Sequence, residues 1–314
     1  MSFKIGLVGL CTSHPDAWVP QIRDMHTTKQ IDAEVVAAWD SGETRPAGFA
    51  REFCARHAIP HPVERLEELL DLVDGVIVHT TNWDRHIEQA RPFVEAGKSV
   101  YLDKPVAGNL RDLAVVMDWM KPGRRVTGGS VLRYCREVAE YLAVPVEQRG
   151  RIHTAYTAIG VDDFNYGIHA YALISALLGP GIRAVRYLGS SGAKQLMIEW
   201  HTGEIALLTI GPAQWLPFTI TAVSDRAVKQ IETDNNRIYR SMLDAVMPYF
   251  TGRSDTPPIP PEVLLEPELA ALAARMSWQN NGEKIFLSDL RLDDPGYDGT
   301  AFAREYLRAR LSTK

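Results

Sequence analysis

No stretch of this sequence approaches the roughly 18 uninterrupted apolar residues of a membrane-spanning helix. The amino-terminal MSFKIGLVGL has no long apolar core and no small-residue cleavage site, so it does not read as a signal peptide. Cysteine is scarce. Cys11, Cys54 and Cys135 are odd in number and far apart, which argues against a disulfide framework or a cysteine-rich zinc site and predicts a reducing compartment, by default the cytoplasm. Basic charge is not in excess: the net charge is −5 and the pI near 6.0, against non-specific nucleic-acid or anionic-membrane partners. Aromatic residues are not interleaved with basic ones as on an RNA-binding surface. There is no Gly-x-Ser-x-Gly elbow and no Walker loop. His57 and His61 are four apart, but Ile59-Pro60 interrupts the helix that would align them as metal ligands, so no metal is expected. Repeats, linkers and low-complexity tracts are also missing.

What remains is an ordinary globular composition, 46% hydrophobic and 23% charged, on 314 residues, more than one core usually fills. The first half alternates apolar runs, Phe3–Gly9, Ala33–Trp39, Gly75–His79 and Ser99–Leu102, with helical stretches at Glu43–Arg56, Arg65–Leu72, Asp84–Ala96 and Leu110–Met120. Strands separated by helices of this length imply parallel βαβ units, that is, a Rossmann-type α/β domain over residues 1–130. Beyond it the pattern changes. A helix from about Tyr166 to Leu178 stops at Gly179-Pro180-Gly181, and the runs Ala184–Leu188, Gln195–Trp200 and Ile205–Ile210 follow, then Phe218–Val223 and Val228–Thr233, several of them joined by tight turns. These predict hairpins, hence an α+β domain over 131–314 with a mostly antiparallel open sheet. Helices are expected at Arg237–Thr251 and Glu268–Asn281.

In a doubly wound sheet, ligands bind at the carboxyl ends of the strands. The first strand ends Gly9-Leu10-Cys11-Thr12-Ser13-His14, where a full dinucleotide fingerprint has glycine at 9, 11 and 14. Only Gly9 stands, and Cys11 and His14 add bulk. Thr12 or Ser13 can cap the next helix and offer a hydroxyl to a phosphate. Asp40, closing the second strand, is placed to accept from an adenosine ribose and to repel a 2′-phosphate, which favours NAD; Arg45 keeps NADP open.

Further motifs follow the third and fourth strands: Thr80-Thr81-Asn82 with His86, then Ala96-Gly97-Lys98, then Asp103-Lys104-Pro105, and later Arg133-Tyr134. In this order they resemble the glucose–fructose oxidoreductase, inositol dehydrogenase and rhizopine-catabolism (Gfo/Idh/MocA) family, whose typical members carry Thr-Pro-Asn-x-x-His and Glu-Lys-Pro. The resemblance runs from residue 3 to at least 179, with a family-like helix and terminal strand around Met276–Leu287. It implies that Lys104 sits beside nicotinamide and the substrate hydroxyl. A partly desolvated lysine at a strand end can exchange protons near neutrality, and Pro105 fixes the backbone beyond it. The resemblance places Gly9, Cys11, Thr12, Ser13, His14, Asp40, Thr80, Thr81, Asn82, His86, Asp103, Lys104 and Pro105 along the cofactor.

Family members also carry an Asp four residues before a His, and this chain has Asn165 and His169 instead. On a helix begun by Asn165 the two share a face with Ala172 and Ala176, a polar pair on a pocket floor. Asp162 and Asp163 lie near in sequence. Lys104, Arg133, Asn165 and His169 are thus the residues directed at substrate, and Lys104, His169 and Asn165 the catalytic ones, His169 to move a proton to or from a substrate oxygen and Asn165 to orient it.

The function this implies is an NAD(P)-dependent dehydrogenase acting on a sugar, cyclitol or related polyhydroxylated compound. Two other readings share the fold: an enzyme that retains NAD while cleaving or eliminating a glycoside, and a non-catalytic dinucleotide-binding protein, for which the eroded glycine motif and Asn165 both argue. A homodimer or homotetramer formed through the open sheet is expected, because that face needs cover.

Overall fold

The computed structural model describes residues 2–212 and 214–312. Its first sheet takes β1 (Phe3–Val8), β2 (Ala33–Trp39), β3 (His61–Pro62), β4 (Gly75–Val78), β5 (Ser99–Asp103) and β6 (Val126–Gly129) in the order β3-β2-β1-β4-β5-β6, all parallel. Helices α1 (His14–Thr27), α2 (Phe49–His57), α3 (His86–Glu95) and α4 (Leu110–Trp119) make the crossovers. The strands are apolar on both faces because both are covered; Ile5, Leu7 and Val8 are fully buried. Each such side chain contributes about 1.5–3 kcal/mol. Val8 pairs with Val78 and Val78 with Leu102, so the carboxyl ends of β1, β4 and β5 lie side by side where the strand order reverses.

Two expected helices are shorter than their patterns. The stretch from Glu43 is helical only from Phe49, because Pro46 disfavours helix before it and Gly48 stands at φ 81°. Residues 65–72 form only a 3-10 turn, Leu66–Asp71, whose sole fully buried side chain is Leu69.

After β6 come α5 (Arg136–Ala143), α6 (Val146–Arg149), β7 (Ile152–Ile159) and α7 (Gly167–Leu178). Then follow β8 (Ile182–Ser191), β9 (Ala193–Trp200), β10 (Ile205–Ile210), β11 (Thr219–Ser224) and β12 (Val228–Glu232). The chain continues through α8 (Ile238–Phe250), α9 (Pro261–Leu264), α10 (Glu266–Gln279), β13 (Ile285–Phe286) and α11 (Gly299–Ser312). The second sheet has the order β12-β11-β7-β10-β9-β8-β13, and only the β7–β10 pair is parallel. One face packs on α7 and α10. On the other, the register aligns Thr221, Tyr156, Leu207 and Met197 in a row across four strands, with Tyr156 44% and Leu207 39% exposed.

The helix α11 and the short strands β3 and β6 have no counterpart in the sequence-based pattern. Although α11 follows the second sheet in the chain, it returns to the first domain: Thr300 N–H donates to Asp84 Oδ2 at 2.9 Å, and the Trp83 and Phe302 rings lie 5.1 Å apart.

A second tie between the halves is Glu268 on α10, which accepts from Val106 N–H at 3.2 Å. Burial pushes this carboxyl up to about 7. Below about pH 4.5 it is protonated in folded and unfolded chains alike and stability is unaffected. Between those values the unfolded chain ionises it first, so stability falls as pH rises, and above about 7 the whole penalty, about 3 kcal/mol, remains. Glu268→Gln keeps an acceptor for Val106 and removes the charge. It is expected to raise the melting temperature at pH 8 and leave it nearly unchanged at pH 4.5; an equal shift at both would show that the ionisation is not the cause.

Candidate functional site

Four loops converge at the carboxyl ends of β1, β4 and β5. Gly9 ends β1 at φ 81°, and a Cβ there would stand 2.4 Å from Thr80 Oγ1, so only glycine permits β1 and β4 to end this close together. The next residues lead into α1, where Thr12 Oγ1 accepts from His14 N–H at 3.2 Å. Ser13 makes no side-chain cap for α1, and Thr12 and Ser13 both line a cavity of about 290 Å³.

The remaining departures from the glycine fingerprint point inward. Cys11 is fully buried against Thr44 and Thr81, and burial, then the Asp40 charge, push its thiol up. His14 turns towards Asp103, with Nδ1 2.5 Å from Oδ2, while His79 Nδ1 lies 2.8 Å from the same oxygen. Burial alone would raise the Asp103 carboxyl; the two imidazoles outweigh it and hold the group well below the usual carboxylate range. The ligand atoms of His14, His79 and Asp103 all lie within 4.8 Å of one another, a set able to surround a metal ion. The two N···O separations are, however, those of charge-assisted hydrogen bonds. They are shorter than the ~3.3 Å between neighbouring ligands of a tetrahedral zinc. We therefore read the group as a carboxylate fastening two imidazoles.

Lys104 follows, its peptide to Pro105 cis. Its ammonium is buried and donates to the Asn165 backbone oxygen at 2.8 Å and to Asn165 Oδ1 at 3.1 Å. Burial pushes its pKa down, opposed by Asp103 and Asp162. Two of its three donors are used, leaving one for the cavity. Asn165 precedes α7 rather than belonging to it, because Asp162 Oδ1 accepts from Phe164 and Tyr166 N–H and folds residues 162–166 into a turn. The turn presents both the carbonyl and the side chain of Asn165 to Lys104. Asp163 is paired elsewhere, with Lys194 at 2.5 Å.

His169, on α7, lines the same cavity, with Nδ1 2.7 Å from Ser130 Oγ. Burial, then the Lys104 and His14 charges, keep this imidazole well below its usual pKa, hence neutral at pH 7.

Lys104, Asn165, His169, Thr12, Ser13, His14 and Thr81 thus surround one cavity. The other candidates lie around it or apart. Thr80 Oγ1 donates to Gln89, and His86 bridges the carbonyls of Thr80 and Val106. Asn82 bonds Glu43 and Thr300. Asp40 accepts from Leu10 N–H at 2.7 Å and Gly42 N–H at 2.8 Å. Arg133 lines a separate small cavity with Glu268 and Ile168. The sequence pattern did not single out Ser130 or Tyr239, nor the Tyr306 that α11 adds to the wall. A larger groove, about 750 Å³, lies at the amino end of β6, where Arg125 is already paired with Asp255 at 2.6 Å; it holds none of this chemistry.

The parallel sheet with its switch point, the open mixed sheet and the cavity beside both define a Rossmann-type α/β domain followed by an α+β domain. The Gfo/Idh/MocA model, described as the oxidoreductase family's NAD-binding Rossmann fold, matches residues 3–126. Residues 3–126 are thus similar to the NAD-binding domain of that family. Over 139 residues the chain is 30% identical to a putative UDP-kanosamine synthase oxidoreductase subunit of Amycolatopsis mediterranei, covering 44% of this chain and 36% of that protein. The chain thus spans about a third of the length of the curated relatives it matches. Among solved structures, a probable dehydrogenase from Thermotoga maritima superposes with TM-score 0.77 at 16% identity, covering 92% of this chain and all (100%) of that one. The myo-inositol dehydrogenase of Lactobacillus casei in complex with NAD(H) and myo-inositol gives TM-score 0.72 at 14% identity, covering 91% and 97%. At such identities these two establish the shared fold.

The residues fit a dinucleotide where the family's fold would lay it. At the start of α1 the His14 N–H is taken by Thr12 Oγ1 and Pro15 has no N–H, so the Ser13 hydroxyl, which makes no cap bond, is the group left to meet a phosphate. Asp40 would stand at the ribose end and Lys104 at the far end of the strand row.

Removing the central carboxylate should be costly, since it leaves two buried imidazoles without their shared acceptor. Asp103→Ala is expected to lose roughly 3–5 kcal/mol in urea unfolding. A loss below about 1 kcal/mol, on the scale of a neutral hydrogen bond, would mean that the array is not held by charge.

Proposed function

We propose that the chain is an NAD(P)-dependent dehydrogenase acting on a hydroxyl-bearing carbon of a sugar, cyclitol or related compound. The observation that carries this reading is the Lys104 ammonium, buried, lowered in pKa and held by Asn165 with one donor free in a cavity shared with His169. When bound, the cofactor supplies hydride exchange at nicotinamide. The chain supplies the proton chemistry and the orientation. Lys104, as the neutral amine, takes the hydroxyl proton as the alcohol is oxidised, and as the ammonium returns it in the reverse direction. Neutral His169, fixed by Ser130, holds the substrate oxygen by a hydrogen bond. Thr12 and Ser13 at the start of α1 receive phosphate, and Asp40 receives the ribose.

Lys104→Ala should lower kcat about 10²-fold or more while leaving NAD affinity largely intact. Asn165→Asp restores a negative charge beside the ammonium, favours its protonated form and raises its pKa. The alkaline-rising limb of kcat/KM for alcohol oxidation should therefore move to higher pH. Initial rates across pH on a sugar and polyol panel test both; an unshifted profile in Asn165→Asp together with wild-type turnover in Lys104→Ala would remove Lys104 from the chemistry.

The same reading includes self-association. The row Thr221–Tyr156–Leu207–Met197 is a partly apolar stripe on an uncovered sheet face. At least a dimer is expected by light scattering at micromolar protein, and Leu207→Glu, which puts a charge in the stripe, should shift the mass towards the monomer.

A further inference from the structure

Two guanidinium groups stand together over the β1–α1 loop with no carboxylate at ion-pair distance among the described residues. Arg45 donates from Nε to Leu10 O at 2.9 Å and from Nη2 to Thr12 O at 3.4 Å. Arg310, near the end of α11, donates to Cys11 O at 2.7 Å. Both are half-buried, and neither has a carboxylate ion-pair partner among the described residues. The nearby acids are committed elsewhere: Asp16 to Arg56 and His57, and Asp40 to the N–H groups of Leu10 and Gly42. Burial, then the Arg310 charge, push the Arg45 guanidinium down against smaller opposing contributions from Tyr306, Cys11 and Asp16, so the two cations feel one another. Carbonyl dipoles on three successive residues compensate part of that repulsion; an anion would compensate it fully.

The position says which anion. The loop of residues 10–13 lies between Asp40 and Lys104 along the strand ends and leads into α1, where Ser13 makes no side-chain cap. A dinucleotide whose ribose meets Asp40 and whose reactive ring meets Lys104 carries its diphosphate over this loop. We propose that Arg310 and Arg45 together bind that diphosphate, so that α11 is part of the cofactor site and not merely a packing element. This rests on the dinucleotide reading above. The planar fork of each guanidinium matches phosphate oxygens, and on binding each would exchange carbonyl acceptors for charged ones. The helix need not leave for this to happen. Its first turn is anchored independently of Arg310, through Thr300 to Asp84 and Asn82 and through Phe302 against Trp83.

The test uses the full chain and reads binding alone. NADH is titrated by fluorescence into wild type, Arg310→Ala, Arg310→Lys and Arg45→Ala, with melting temperatures confirming that each variant folds. Inorganic pyrophosphate is titrated calorimetrically into the same proteins. Arg310→Ala should weaken both ligands by about tenfold to a hundredfold, the scale of a charge-assisted hydrogen bond. Arg310→Lys, keeping the charge without the fork, should fall between, and Arg45→Ala should weaken both ligands too. If wild type takes pyrophosphate in an Arg310-dependent manner but no NADH, the anion site stands and the dinucleotide reading falls. Unchanged affinity for both ligands in Arg310→Ala would overturn the proposal. So would tighter NADH binding, which would make α11 a cover over the loop.

Discussion

Asp103 is a buried anion at the end of β5, and three elements are fastened to it. Oδ2 accepts from the imidazoles of His14, at the start of α1, and His79, at the end of β4, while Oδ1 accepts from Lys104 N–H at 2.8 Å. A carboxylate in this position would be expensive if any of these donors were absent. With all of them, it fixes the approach of α1 to the sheet and the direction in which the chain leaves β5. The direction of Lys104 and the placement of Thr12 and Ser13 at the cavity wall both descend from this one group. The aspartate is also one methylene shorter than the glutamate typical of the family, and the shorter side chain sits where a third glycine has given way to His14. The two departures complement each other: the carboxylate is drawn back and an imidazole meets it.

The electrostatics of the cavity follow from that arrangement. Asp103 is turned towards the imidazoles, and Asp162 is spent on the turn before α7. Asn165 adds no charge. Lys104 is therefore held by neutral acceptors, and its remaining electrostatic support comes from Asp103 and Asp162 against the cost of burial. His169 experiences burial and cationic neighbours together, both of which disfavour its protonation. The wall combines a lysine easier to deprotonate than a surface lysine with a histidine that stays neutral, a setting suited to taking a proton from a hydroxyl.

Much of this was legible in the sequence. Glycine at the end of β1, an acid closing β2 and a lysine–proline pair closing β5 are local signals, and each lies where a parallel sheet presents its strand ends. Asn165 and His169 were singled out by the resemblance to the family's Asp–His pair, although the turn made by Asp162 places Asn165 ahead of the helix. What could not be read depends on distance along the chain. His14 meets Asp103 across 89 residues, and Arg310 meets Cys11 across 299. No periodicity marks such pairs. The bulk of Cys11 and His14 looked like an obstruction to phosphate, whereas Cys11 is buried and His14 is drawn onto Asp103 at the cavity wall. The helix α11 escaped because its apolar stripe is thin: only Gly299 and Ala303 are fully buried along it.

Neither half of the chain holds the site alone. Lys104 and the α1 start come from the first sheet, Asn165 and His169 from the turn and helix before the second, and Ser130 from the link between them. The floor of the cavity is α7, which is buried along almost its whole length. A helix with so little exposed face cannot shift without opening apolar surface on both sides. The distance from Lys104 to His169 is therefore set by the docking of the two halves. Glu268 adds a polar bond at that junction, from α10 to Val106, two residues beyond Lys104. Because the loop after Lys104 is bonded to α10 and the loop before α7 is bonded to Lys104, the placement of Lys104 against His169 and the docking of the two halves are mechanically one problem: a change that loosens the junction should disturb the cavity wall before it unfolds either half.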